Sequence, residues 1–434
     1  MGRRSKKTRF KPRFFVFLAI LIVLVVALIY FGIYKNNNIS NNLNNQSAQS
    51  ADSSIKAPAE ATVEDITIKM TVIGDIMCHN TQYTDAYNSS SKKYDFSYVF
   101  DDVKDKLSQA DITVGNLETT FAGSKIGYSS YPTFNTPEAL GKALKDVGLD
   151  VLSTANNHCM DKGYTGIVNT IKELDELKID HMGTYDSEES SNNILVKDVK
   201  GIKIAFLAYT YGTNGIAVPK DKSYAVNLID KDKIKKDLQA AKDLDVDLIS
   251  VSMHWGTEYK QNPTDEQEEL ADFLFENGAD IILGSHPHVL EKMEKRTIEL
   301  EDGTTKDGFI IYSLGNFMSG QYYDYTRQSI ILDLQITKHG DGKISIDSAT
   351  YTPIYMYKSS SGSKQKYLVM DIEKALEDYK AGKKNISSST NSTLKSELKH
   401  IYKIVGDEIT EESSNSEDLE GQKDENANTN KKEE

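Results

Sequence analysis

From Ile66 to about Ile354, short β-branched runs alternate with stretches of helical periodicity, a pattern that predicts an α/β layered domain. Strands are predicted at 66–74, 111–115, 150–155, 202–209, 247–254, 280–284, 309–313 and 329–336. Helical periodicity falls between them at 97–109, 137–147, 164–177, 231–243 and 264–277. Thr264 with Gln267 three residues on makes a capping box, and Gly278 follows the last turn of that helix. Further on, 367–381 and 393–405 read as two more helices, parted by Gly382 and the Ser-rich segment 387–393.

The ends of the chain follow other rules. Residues 14–34 hold no charge and suffice to span a bilayer as a helix. Lys and Arg at positions 3, 4, 6, 7, 9, 11 and 13 precede them, so the positive-inside rule keeps the amino terminus cytoplasmic and the rest outside. A cleaved signal peptide is the rival reading, but the run exceeds the usual apolar core and Lys35-Asn36-Asn37-Asn38 replaces a small-x-small site. The expected order is therefore a basic cytoplasmic segment (1–13), a transmembrane helix (14–34), a flexible Asn/Ser-rich stalk (35–64), the main extracellular domain (65–360), a helical extension (361–405) and a disordered tail (406–434). That tail carries eleven acidic and three basic residues.

Charge narrows the partners. The formal net charge of -14 and the lack of any nucleic-acid motif argue against nucleic acid. The same balance repels a polyanion unless a basic groove or a bound cation intervenes. Cys78 and Cys159 are the only cysteines, too few for a disulfide framework. Two small buried side chains are the simplest reading of them, with a disulfide or a thiolate ligand as alternatives.

Candidate chemistry gathers where apolar runs stop. Gly284-Ser285-His286-Pro287-His288 puts two imidazoles directly after Asp280-Ile281-Ile282-Leu283. Asp75 follows Met70-Thr71-Val72-Ile73, Asn156-Asn157-His158 follows Val151-Leu152-Ser153, and His254 follows Leu248-Ile249-Ser250-Val251. Carboxyl ends of strands are where open α/β folds place their ligands. His254, His286 and His288 with Asp75, Glu118 and Asn157 form a nitrogen and oxygen donor set suited to a divalent metal, manganese, zinc or iron. A metal held there can activate water and polarise a carbonyl or phosphoryl oxygen. His158, Asp161 and Glu258 are the catalytic candidates, although capping the helix near Tyr164 is the simpler role for Asp161 and solvation an equal one for Glu258. Asn116, Asn156 and Asn316 are candidate substrate contacts. Trp255 reads as a packing residue, and His181, His339 and His400 lie in no comparable setting. Neither a Gly-x-Ser-x-Gly elbow nor a P-loop occurs in the globular region.

The ordered motifs Gly74-Asp75-Ile76-Met77, Gly115-Asn116-Leu117-Glu118, Ala155-Asn156-Asn157-His158 with Asp161 and Gly163, His254-Trp255-Gly256-Thr257-Glu258-Tyr259, His286-Pro287-His288 and Ser313-Leu314-Gly315-Asn316-Phe317 resemble the CapA family, the poly-gamma-glutamate capsule biosynthesis proteins. The resemblance covers 69 to about 355 and places the chain with calcineurin-like metallophosphoesterases. It implies a four-layer α/β/β/α sandwich and a membrane-bound role in making or exporting a gamma-linked glutamate polymer. It further implies Asp75, Asn157, His254, His286 and His288 as ligands of one or two metal ions, with His158 serving the leaving group. Met77 stands where the wider pattern has the His of Asp-x-His, and Asn116 where it has a bridging Asp, which favours one ion or a weakly held second. The expected partners are an anionic glutamyl polymer, membrane synthase subunits and the bilayer around 14–34. A non-catalytic polymer-binding subunit and a phosphoesterase of other substrate are the alternatives.

Overall fold

In the strands of this protein successive side chains enter different cores, because a pleated strand turns alternate residues to opposite faces. The computed structural model describes residues 64–299, 303, 305–359, 366–383 and 386–410. The transmembrane and stalk expectations up to residue 63, and the tail beyond 410, lie outside the described residues. Among the described residues, no helix is long and apolar enough to cross a membrane.

A short hairpin pairs β2 (Tyr87–Asn88) with β3 (Lys93–Tyr94). An eight-stranded sheet is built from β1 (Ile66–Ile76), β4 (Ile112–Leu117), β5 (Val151–Ser153), β6 (Asp180–Met182), β13 (Asn316–Met318), β14 (Gln328–Lys338), β15 (Ile344–Ser359) and β16 (Lys366–Asp371). Its order is β16-β15-β14-β1-β4-β5-β6, with β13 also pairing β1. A six-stranded sheet is built from β7 (Leu195–Val199), β8 (Ile202–Thr210), β9 (Leu248–His254), β10 (Ile281–Ser285), β11 (Met293–Glu299) and β12 (Thr305–Ile311), in the order β11-β12-β10-β9-β8-β7. Both sheets are parallel at their centres, β1-β4-β5-β6 in one and β12-β10-β9-β8 in the other, with antiparallel strands outside.

The helices are α1 (Asn80–Ala86), α2 (Lys104–Ser108), α3 (Ala139–Asp146), α4 (Gly163–Leu177), α5 (Glu188–Ser191), α6 (Lys231–Lys242), α7 (Asp265–Glu276), α8 (Ile372–Lys380) and α9 (Ser388–Val405). Val72, Val114 and Val151 of one sheet share a core with Phe206, Leu283 and Phe309 of the other. The neighbours of those residues turn outward. Ile73 and Leu152 pack with Leu107, Leu140 and Leu174 of α2, α3 and α4, while Leu207 and Ile282 pack with Leu238 and Leu274 of α6 and α7. The layers thus run helix, sheet, sheet, helix, and each fully buried Leu, Ile or Phe contributes roughly 1.5–3 kcal/mol.

Three expectations need correction. The periodicity at 97–109 resolves into a 3-10 turn at Ser97–Phe100 and the separate α2, because Val103 and Lys106 bond back three residues instead of four. Residues 367–371, read as the start of a helix, belong to β16, an edge strand of the large sheet. Its β-favouring Tyr367-Leu368-Val369-Met370 buries Tyr367 and Val369 in the outer core and Met370 in the central one, and Asp371 then caps α8 by accepting from Lys374 N–H at 3.0 Å. The last helix starts at Ser388, five residues earlier than the periodicity suggests, because Ser387 caps it. Since α8 and α9 place Ile372, Leu394 and Ile401 in the central core, 366–405 belongs to the domain itself. β15 carries no clear alternation and contains Pro353, which hides it from a pattern search.

Two glycines let the backbones meet where the strands end. A Cβ at Gly74 would lie 2.0 Å from Gly315 O, and one at Gly284 would lie 1.8 Å from Tyr312 O. Gly284→Ala is expected to destabilise the protein by about 2 kcal/mol or more, read as a lower urea midpoint at unchanged slope.

Candidate metal centre at the strand ends

Parallel register brings the polar residues together. Asp75 on β1 lies opposite Asn116 of β4 and Asn316 of β13, and His254 on β9 opposite Ser285 of β10 and Thr210 of β8. Asp75, Glu118, Asn157, His254, His286 and His288 are all buried there. Ligand atoms of Glu118, His254 and His286 lie within 4.8 Å of one another, as do those of Asp75, Glu118 and His288, and those of Glu258, His286 and His288. Asn157 joins them through Oδ1, 3.1 Å from His254 Nε2.

Glu118 dominates the electrostatics. It is fully buried, and neither of its oxygens has a hydrogen-bond partner among the described residues. His254 Nε2 lies 3.6 Å and His288 Nε2 3.7 Å from its Oε1. Burial, and then the charges of Asp75 and Glu258, pushes its carboxyl well above the usual range. Burial likewise pushes His254 well below the usual imidazole range and His286 down to about 3, with neighbouring imidazoles adding to both shifts. Left alone, Glu118 and His254 face each other uncharged, so their proximity is no ion pair. His286 Nδ1 is a further buried atom without a partner. A divalent cation would resolve all of this, because it binds ionised carboxylate and neutral imidazole together.

The surrounding residues fix the donors. His254 Nδ1 lies 2.8 Å from Ser285 Oγ, which also reaches Met253 O at 3.4 Å, and a proton held on Nδ1 in this network would leave the Nε2 lone pair for an ion. His288 Nδ1 donates to Asn316 Oδ1 at 3.1 Å, and Asp75 Oδ1 accepts from Asn116 Nδ2 at 2.8 Å. His286 and His288 occupy left-handed backbone at φ 97 and φ 60, conformations that non-glycine residues hold only where the surroundings impose them.

Several expected roles change. Asn116, Asn156 and Asn316, expected as substrate contacts, are buried and spend their amides internally, where they brace the donor residues. Asn116 holds Asp75. Asn156 donates to Leu117 O at 2.8 Å and accepts from His158 N–H, and the Asn316 amide N–H groups go to Gln321 Oε1 and Thr326 O. Asp161 does not cap α4, whose N-cap is Lys162; its Oδ2 lies 2.8 Å from His158 Nδ1 and accepts from Phe134 N–H. Glu258, expected as a catalytic carboxylate, stands exposed at the rim with a ligand atom near His286 and His288. Met77 is buried and its sulfur accepts from Ser319 Oγ at 3.9 Å. His79 does not replace it as a free donor, since its Nδ1 accepts from Gly320 N–H at 3.0 Å. Cys78 and Cys159 are free, buried thiols whose burial raises both above the usual range. Trp255 packs, donating Nε1–H to Tyr312 O at 3.0 Å.

Tyr211 escaped the sequence reading. It directly follows β8, another strand end, and its hydroxyl accepts from Asn157 Nδ2 at 3.3 Å, turning Asn157 Oδ1 toward His254.

A mixed α/β domain with a strand-end cluster of histidine and carboxylate is the class this geometry defines. The chain belongs to the family described as bacterial capsule synthesis protein PGA_cap, whose model matches residues 69–321. It is 31% identical over 292 residues to the capsule biosynthesis protein CapA of Bacillus anthracis, covering 65% of this chain and 67% of that one. It is also 31% identical over 329 residues to the PGA biosynthesis protein CapA of Bacillus subtilis (strain 168), covering 74% and 81%. Among solved structures, the calcineurin-like phosphoesterase YfkN from Bacillus subtilis aligns at a TM-score of 0.39 and 14% identity, over 73% of this chain and 98% of that one.

Glu118→Gln is expected to weaken metal binding about a hundredfold or more while the protein stays folded, measured by competition with a chelating dye. A second outcome concerns Glu291, a buried carboxyl on the segment leaving His288. Gln267 Nε2 donates to one of its oxygens at 2.8 Å, and burial raises it to about 7 from 4.5. The folded state then holds a proton that the unfolded state has released, so this group's stabilisation is complete below about pH 4.5 and lost as pH rises through 7. Glu291→Gln should therefore gain on the order of 3 kcal/mol over wild type at pH 8 and nothing at pH 4, in urea titrations at both values.

Proposed function

We propose that this protein acts in capsule biosynthesis as a metal-dependent hydrolase or transferase of a gamma-linked glutamyl polymer. It works at the outer face of the cell membrane, held by an anchor at 14–34 and partnered by membrane synthase subunits. The observation that carries the reading is Glu118, a buried carboxyl without a hydrogen-bond donor, ringed by His254, His286 and His288. Family membership supports the capsule role, and the name of the Bacillus subtilis relative, a PGA biosynthesis protein, supports the polymer. The buried nitrogen and oxygen donor set at the strand ends supports bond cleavage over mere scaffolding.

Asp75, Glu118, Asn157, His254, His286 and His288 would hold the ion, manganese, zinc or iron. When bound, it supplies Lewis-acid activation of water and of an amide or phosphoester oxygen. The remaining chemistry belongs to the chain. His158, oriented through Nδ1 by Asp161, presents Nε2 as the general acid for the leaving group. Asn116 and Asn316 keep Asp75 and His288 in place.

A second reading, a polymer-binding subunit without turnover, is favoured by one observation: the bridging-acid position is Asn116, whose amide N–H is spent on Asp75. His158→Ala separates the two. Turnover of gamma-glutamyl oligomers should fall about a hundredfold or more with the metal content unchanged, measured by product chromatography beside metal mass spectrometry. Equal turnover removes His158 from the mechanism, and a metal-loaded wild type without turnover of gamma-glutamyl or phosphoester compounds leaves the binding subunit.

A further inference from the structure

Two half-exposed tyrosines are fastened to the histidine loops by their own backbone amides. Tyr211 N–H donates to His254 O at 3.0 Å, and its ring centroid lies 4.5 Å from that of His286. Tyr259 N–H donates at 2.8 Å to Pro287 O, the carbonyl between the two histidines, and its ring lies 6.1 Å from His288. Tyr259 takes φ 64 to do this, an unfavourable backbone for a residue with a side chain. Tyr323 extends the second platform at 4.8 Å from Tyr259.

Their hydroxyls have partners: Tyr211 accepts from Asn157 Nδ2 and donates to Asn214 Oδ1, and Tyr259 bonds the rim carboxylate Glu258. Ring rotation is thereby restrained, and what remains for a ligand is the aromatic face: Tyr211 is 49% exposed, Tyr259 38% and Tyr323 64%. Exposed apolar side chains scattered singly need no explanation, whereas a cluster at the mouth of a buried donor set marks a binding surface. The ionic side chains of the two loops at 255–262 and 319–326 are Glu258, Lys260 and Asp324. Those loops therefore offer no cationic track for a polyanion.

We propose that Tyr211 on one side and Tyr259 with Tyr323 on the other form a clamp that grips a gamma-glutamyl chain by its uncharged backbone. This rests on the substrate class given above. Each gamma-linked unit presents a planar amide and two methylenes in line, with its carboxylate on a branch. Rigid aromatic faces suit the amide plane and the methylenes, while the carboxylates stay in water or turn to the bound cation. A grip of this kind avoids the ionic contacts that an acidic protein lacks. It also predicts little salt dependence, since screening acts on charge pairs and not on stacking.

The test uses the full chain in mild detergent, loaded with manganese, and a fluorescein-labelled gamma-glutamate oligomer followed by anisotropy. Tyr259→Ala and Tyr211→Ala should each weaken binding about tenfold, and Tyr211→Phe, which keeps the ring, should bind within about threefold of wild type. Metal content by mass spectrometry is read for every variant, because Tyr211 also touches Asn157. Wild-type affinity should fall by less than about threefold, or rise as repulsion is screened, from roughly 0.05 to 0.5 M sodium chloride. Full binding by both alanine variants, or loss of affinity beyond about tenfold with salt, overturns the clamp while leaving the substrate reading in place. Failure of the wild type to bind the oligomer, with tyrosine-dependent capture of a neutral N-acetylglucosamine oligomer instead, overturns the gamma-glutamyl assignment and the substrate reading together.

Discussion

A carboxyl sealed away from water with no donor is the constraint on which the strand-end arrangement turns. Leaving a charged group buried and unpaired costs several kcal/mol, so Glu118 is tolerable only as a neutral acid or as a cation ligand. The rest of the site is consistent with the second state. Imidazoles that burial keeps neutral, a left-handed backbone at both histidines of the loop after β10, and asparagines that lock Asp75 and His288 from behind all present donor atoms inward. Such an arrangement has a cost in the metal-free protein that a bound ion would remove.

The framework bears that cost because both sheets direct their parallel strands into one crevice. Central strands are covered on both faces, so their ends are held by three hydrophobic cores and not by loops alone. Gly74 lies one residue before Asp75 and Gly284 two before His286, and their missing side chains allow the 312–315 segment to close behind the site. Packing and ligand placement are therefore the same problem solved at the same residues.

Much of this was legible in sequence. Strand cores announce themselves through β-branched runs, and residues that directly follow such a run are bound for the crevice, which is how Asp75, His254, His286 and His288 are found. Which way an amide points is not written there. Asn116, Asn156 and Asn316 occupy the expected crevice yet turn their polar atoms on their neighbours, a choice set by partners from other strands. Asp161 was ambiguous for the same reason, as a cap and an imidazole partner need identical chemistry three residues apart. Tyr211 obeys the strand-end rule but has no chemistry of its own to attract notice. Tyr367-Leu368-Val369-Met370 joins a helical run without a break in hydrophobicity, so only its neighbour β15 reveals it as a strand.

The position of β14 gives the long carboxyl-terminal part of the chain a different meaning. The family match ends at residue 321, before β14 begins, yet β14 lies directly against β1, the strand that carries Asp75. Without 328–371 the middle of the large sheet would become its border, with a row of open backbone amides beside the ligand. The segment outside the shared motif is thus the hem of the sheet: it closes that border, while the donor atoms stand on other strands and loops.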